Sequence, residues 1–136
     1  MTDTQDTPLQ LQREGAIATL TFHRPAALNA IDVPMALALR DAVRALAQDR
    51  ALRCVVLEGA GRAFMAGGDL DTLAADPVRG AAELLAPLNE AVALLGQLDA
   101  PVIAKVHGAA AGAGLSLILQ ADFVCAVGSY LVVTAD

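Results

Sequence analysis

Three features of the sequence predict an α/β protein with a largely parallel sheet. Short apolar runs such as Arg53 to Glu58 and Val102 to His107 alternate with longer stretches whose apolar residues recur at helical spacing. Each of these two runs leads into a glycine-rich turn and a helix start, and strand, helix, strand order implies right-handed crossovers. The third feature is composition: 136 residues that are 56% hydrophobic but 3% aromatic, with mean hydropathy +0.53. Such a core is built from Ala, Val, Leu and Ile, as suits strands covered on both faces.

The elements follow in order. Met1 to Thr7 is acidic and polar, unlike a secretion signal, and reads as a frayed tail, with the folded domain running from Leu9 to Asp136. Leu9 to Arg13 and Ala16 to Phe22 alternate apolar and polar residues around Glu14-Gly15, the pattern of an edge hairpin. His23-Arg24-Pro25 ends the second strand, and His23 reads as a loop residue because no second His, Cys or acid is close in sequence. Asp32 and Pro34 start a helix carrying Met35, Leu39, Val43 and Leu46 on one face. Leu84, Leu88, Val92 and Leu95 mark another helix within Val78 to Leu98, with a break or kink predicted near Glu83 to Pro87. After Asp99-Ala100-Pro101 come the strand Val102 to His107, a helix from Gly114, a strand Phe123 to Val127, a turn at Gly128-Ser129 and a strand Tyr130 to Thr134.

The chemistry is carried by two glycine loops. Gly61 to Leu70 follows a strand and contains Ala66-Gly67-Gly68, where missing side chains let backbone N–H groups converge on an anion. Asp69 then reads as the N-cap of a short helix through Leu70, Thr72 and Leu73, with a catalytic base as the second reading. Gly108 to Gly114 repeats the arrangement ahead of Leu115 to Ala121. A strand, a glycine turn and a helix start suit a developing oxyanion.

His23-Arg24-Pro25-Ala26-Ala27-Leu28-Asn29-Ala30, Gly61 to Leu70, and Pro101-Val102-Ile103-Ala104 through Gly108 to Asp122 resemble, in order and spacing, three blocks of the crotonase (enoyl-CoA hydratase/isomerase) family. The resemblance implies a crotonase-like spiral of β-β-α units, incomplete at its C-terminus, and covers roughly the first half of a family member. It implies an acyl-CoA thioester substrate, with coenzyme A present only as part of it, and a homo-oligomer, a trimer or dimer of trimers. By motif position the backbone N–H groups of Ala66 and Ala113 form the oxyanion hole. Gly67, Gly68, Asp69 and Gly112 complete the binding loops, and Ala27 and Leu28 lie along the CoA.

One departure matters. Where hydratases of the family carry a glutamate, this chain has Ser116, which cannot do a carboxylate's acid/base work near neutral pH without a partner base. Gly112-Ala113-Gly114-Leu115-Ser116 looks instead like members similar to the epoxyphenylacetyl-CoA isomerases, in which a single downstream acid, here beyond residue 136, moves the proton. The expected chemistry is isomerase-like. A vestigial, non-catalytic acyl-CoA-binding protein is the alternative if the 136 residues are complete.

Other classes fit less well. The glycines after Val106 also resemble the phosphate loop of NAD(P)-dependent short-chain dehydrogenases, with Asp136 as the ribose acid. The short helix, the late position of the motif and Thr134 four residues after Tyr130 weigh against that reading. Net charge −6 and a pI near 4.7, without a basic stripe, exclude nucleic acid. Cys54 and Cys125 sit in apolar runs and read as buried free thiols rather than a disulfide or metal site, which places the chain in a reducing cytoplasm. Val106 to Ala121 is too short and glycine-broken for a membrane span.

Overall fold

The computed structural model describes residues 7–133. The hairpin β1 (Leu9–Glu14) and β2 (Ile17–Phe22) leads through a 3-10 turn, Pro25–Ala27, to α1 (Val33–Ala47) and β3 (Cys54–Gly59). Two helices, α2 (Leu70–Ala75) and α3 (Pro77–Gln97), precede β4 (Val102–Ala111), α4 (Ala113–Gln120) and β5 (Phe123–Val133). The five strands lie in chain order, β1 antiparallel to β2 and every later neighbour parallel. The largely parallel α/β sheet read from the sequence is present.

Alternation along the strands decides where the core sits. Ala18, Leu20, Phe22, Val55, Leu57, Val102, Ala104 and Val106 point to one face and are buried. They meet Met35, Leu39, Val43 and Leu46 of α1 and Leu84, Leu88, Ala91 and Leu95 of α3. The expectation of strands covered on both faces fails, because on the opposite face Thr19, Val56 and Ile103 are only half-buried and Ile17 is exposed. Cys54 and Cys125 belong to this second face, so Cys54 is half-buried and Cys125, on the edge strand β5, is exposed. The buried-thiol expectation is corrected accordingly.

Three element readings also change. No break occurs at Pro87, which is buried within a continuous α3; its ring packs in the core while the exposed Glu83, whose carbonyl loses its partner, lies on the outer side. β4 does not stop at His107 but continues to Ala111, with a register shift against β5 between Val106 and Gly108. Gly108–Ala111 pairs with Tyr130–Val133, so Gly128, at φ 67°, bends one long strand rather than reversing it. Thr134 and Met1 to Asp6 lie outside the described residues. The Pro8 carbonyl accepts the His23 N–H at 2.7 Å, closing the open end of the hairpin.

A smaller ladder stands beside the main sheet and sets up the site. Residues 28–31, 65–69 and 109–111 run side by side: Ile31 and Gly68, and Met65 and Ala110, form parallel bridges. The Ile31 N–H donates to the Gly67 carbonyl (2.8 Å), the Asp69 N–H to Ile31 (2.9 Å), and the Ala111 N–H to Met65 (3.0 Å). The three sequence blocks thus meet in space.

Candidate active site

The two glycine loops touch. Gly67 has φ 118° and Gly112 φ 52°, values that L side chains rarely adopt. A Cβ on Gly112 would lie 3.5 Å from the Gly67 Cα, and one on Gly67 would lie 3.6 Å from the Ala111 carbonyl oxygen. Gly114 is needed for closeness instead, since its Cβ would come within 2.5 Å of the Met65 carbonyl oxygen. Gly112 precedes α4, so the N–H of Ala113, the helix's first residue, has no intrahelical acceptor and sits at the positive end of the helix dipole. The Ala66 N–H, by contrast, donates to the Leu28 carbonyl at 3.0 Å.

A cavity opens on each side of this junction. One, of about 320 Å³, is lined by Ile31, Gly68, Leu84, Leu88, Ala113 and Ser116, with further residues of α2 and α3. The other, of about 370 Å³, is lined by Ala27, Ala30, Ala66, Gly68, Asp69 and Leu70, with Asp71. Gly68 belongs to both. Every candidate position except Leu28, Gly67 and Gly112 therefore lines one of the two cavities, and those three form the loop backbone between them.

Asp69 caps α2. Its Oδ1 accepts the N–H groups of Asp71 (2.8 Å) and Thr72 (3.3 Å), and its Oδ2 lies 2.8 Å from Arg24 Nη1. Burial pushes its carboxyl up, but the Arg24 hydrogen bond and the two N–H groups outweigh that and hold it below the usual carboxylate range. Both oxygens are engaged and the group binds protons weakly, so capping suits Asp69 better than general-base work.

Arg24 and Asn29 are supporting residues that sequence reasoning passed over. Asn29 is wholly buried: its Oδ1 accepts the Arg24 N–H at 2.8 Å, and its Nδ2 donates to the carbonyls of Ala60 (2.9 Å) and Ala63 (2.8 Å). It pins the loop after β2 to the loop after β3. Asn29 and Leu28 both have positive φ, 58° and 53°, which asparagine tolerates and leucine does so at about 1–3 kcal/mol. The strained Leu28 is the residue whose carbonyl faces Ala66. A lone asparagine between Leu28 and Ala30, within a block already singled out, was the available signal.

The profile of the family described as enoyl-CoA hydratase/isomerase matches residues 12–129. The chain belongs to this enoyl-CoA hydratase/isomerase family. It is 39% identical over 120 residues to 1,2-epoxyphenylacetyl-CoA isomerase of Escherichia coli, which covers 85% of this chain and 46% of that protein. Against crotonyl-CoA hydratase of Syntrophomonas wolfei it is 33% identical over 114 residues, covering 83% and 44%. Among solved structures, an enoyl-CoA hydratase from Mycobacterium smegmatis superimposes with TM-score 0.85 at 39% identity, covering 90% of this chain and 49% of that one. An enoyl-CoA hydratase/carnithine racemase from Magnetospirillum magneticum gives 0.87 at 32% identity, covering 93% and 49%. The chain spans about half the length of the curated relatives it matches.

Membership in the enoyl-CoA hydratase/isomerase family and its crotonase fold dispose of the dinucleotide reading. The helix after the second glycine loop has only 8 residues, and Asp136 lies outside the described residues. Among the described residues no three or more His, Cys, Asp and Glu side chains are grouped to hold a metal ion, and no helix is long and apolar enough to cross a membrane.

Proposed function

We propose that this chain binds the thioester end of an acyl-CoA at the Gly67–Gly112 junction and polarises it toward the enolate. The observation that carries the proposal is the contact of two backbone loops between two cavities. In this reading the acyl group enters the apolar cavity beside Ala113 and Ser116, and the CoA side lies against Ala27, Leu28, Ala66 and Asp69. The Ala113 N–H offers a preorganised donor to the developing oxyanion, an interaction typically worth about 10²–10³ in rate. The Ala66 N–H becomes the second donor once it yields or shares its bond to the Leu28 carbonyl, which makes the strained Leu28 part of the device.

No carboxylate lines the cavity that holds Ser116 among the described residues. The proposed chemistry is therefore isomerase-like: polarisation here, with one acid outside the described residues to take and return a single proton. Self-association as a trimer or dimer of trimers belongs to the same proposal. Calorimetry with butyryl-CoA and free CoA tests the binding step. Saturable heat with the thioester, abolished by Gly112→Val in folded protein, is the expected result; equal binding by that variant overturns it.

A further inference from the structure

The glycines of the site are there for different reasons. Gly67 and Gly112 are required by their positive φ, and Gly114 by the Met65 carbonyl oxygen, which an added Cβ would approach to 2.5 Å. Gly68 has neither reason. Its φ lies outside the positive region, and among the described residues a Cβ built on it would meet only Leu84 Cδ2, at 3.6 Å, an ordinary van der Waals separation. An alanine at such a position ordinarily stabilises a chain by restricting its unfolded state, so the fold gains nothing from the glycine. The backbone on either side is held in place, because the Gly67 carbonyl accepts the Ile31 N–H at 2.8 Å and the Asp69 N–H donates to the Ile31 carbonyl at 2.9 Å. Gly68 lines both cavities, and Leu84 and Ile31 line the apolar one, so the room for a methyl group opens on the acyl side.

We infer that the space beside Gly68 receives a substituent on the acyl carbon next to the thioester carbonyl, which makes this a site for 2-branched acyl groups. The inference rests on the acyl-CoA reading above and names the substrate class of the same cavity. With the thioester at the Gly67–Gly112 junction and the acyl group in the apolar cavity, C2 is the first acyl carbon beyond the carbonyl to pass Gly68. A single branch at C2 lies on one side of the acyl chain, and Gly68 stands on one side of the passage, so the site distinguishes the two C2 epimers. A methyl placed against Leu84 and Ile31 leaves water for an apolar wall, a gain of about fourfold in affinity. A Cβ on residue 68 takes up the same room, and a pocket rejects a group that is one methyl too large by about tenfold.

The test is calorimetry of butyryl-CoA and of the two separated C2 epimers of 2-methylbutyryl-CoA, on the 136-residue chain and on Gly68→Ala. For the unmodified chain, one epimer is expected to bind about fourfold tighter than butyryl-CoA and the other no tighter. In Gly68→Ala, whose circular dichroism and melting temperature check the fold, the affinity of the favoured epimer relative to butyryl-CoA is expected to fall about tenfold. The epimer comparison needs no variant, so it decides the matter even where Gly68→Ala fails to fold. Neither epimer binding tighter than butyryl-CoA, both epimers binding alike, or a ratio that survives Gly68→Ala overturns the inference and leaves the acyl-CoA reading standing. Binding of none of the three thioesters overturns both.

Discussion

Arg24 Nη1 lies 2.8 Å from Asp69 Oδ2, and Arg24 Nε lies 3.3 Å from Asp32 Oδ2. Asp32 caps α1 through the Met35 N–H and Asp69 caps α2, so one guanidinium ties together the starts of two helices that flank the glycine junction. Arg24 also donates to the Ala30 carbonyl. Arg24→Met therefore leaves two carboxylates facing each other in a half-buried pocket. The expected loss is about 2–4 kcal/mol, given that removing one partner of a shielded ion pair costs more than the pair contributes. Arg24→Lys recovers only part of it, because an ammonium cannot reproduce the planar fork. Urea unfolding of the three proteins measures this, and a loss below 1 kcal/mol for Arg24→Met refutes it.

The same pair predicts a pH dependence. Asp69 has a depressed carboxyl in the folded state, so the unfolded chain binds its proton first. Its contribution is fully present above the unfolded value of about 4 and is lost as pH falls through the lower folded value. Asp69→Asn keeps a capping oxygen but not the charge. The stability gap between the natural chain and Asp69→Asn is expected to be constant near neutrality and to shrink below pH about 4; a gap that widens on acidification contradicts the assignment.

Glycines divide by what surrounds them. A Cβ on Gly108 runs into the Arg62 carbonyl, at φ 65°, and both neighbours are backbone that cannot swing aside. Gly15 has φ 59° but nothing within 4 Å of an added Cβ. Gly108→Ala is expected to cost roughly 3 kcal/mol or more and Gly15→Ala about 1 kcal/mol. Thermal unfolding of the two variants checks the order.

What could be read in advance depended on the range of the interaction. Strands and helices were legible because alternation and the Met35, Leu39, Val43, Leu46 spacing are local; a glycine run by itself reads equally as a tight turn, and only the family resemblance implied that the two loops act together. Pro87 and Gly128 misled because local rules predict a stop, whereas burial carries α3 through Pro87 and pairing with β4 carries β5 through Gly128. Arg24 and Asn29 were invisible as supporting residues because their meaning lies in partners from distant segments. Cys125 was misjudged because an apolar run does not reveal whether its strand lies at a sheet edge.

That edge bears on assembly. Leu119, Phe123 and Val124 are exposed together where α4 leads into β5, with Phe123 at 65%. Exposed apolar groups beside a strand whose outer edge has no neighbour among the described residues favour association. Light scattering is expected to find an oligomer at micromolar concentration, weakened by Phe123→Glu. A stable monomer in the unmodified chain contradicts this.

The last prediction concerns Ser116. Hydration needs water activated on one side and a proton delivered on the other, work shared by two acid/base groups, whereas a 1,3-proton shift needs one base that takes and returns the same proton. Ser116 sits in the cavity beside Ala113 where no described carboxylate stands, and its hydroxyl bonds weakly to Gly112 rather than to any base. The 136-residue chain is therefore expected to show little hydration of crotonyl-CoA, and a longer form to favour isomerisation of 3-enoyl-CoA. Ser116→Glu places a carboxylate three residues along α4 from the proposed oxyanion donor, and it is expected to raise hydration relative to isomerisation in that longer form. Both reactions are followed side by side, since a general loss of folding lowers both while a change of proton carrier moves their ratio. Robust hydration by the unmodified chain, abolished by Ser116→Ala, would mean that the serine is itself the proton carrier.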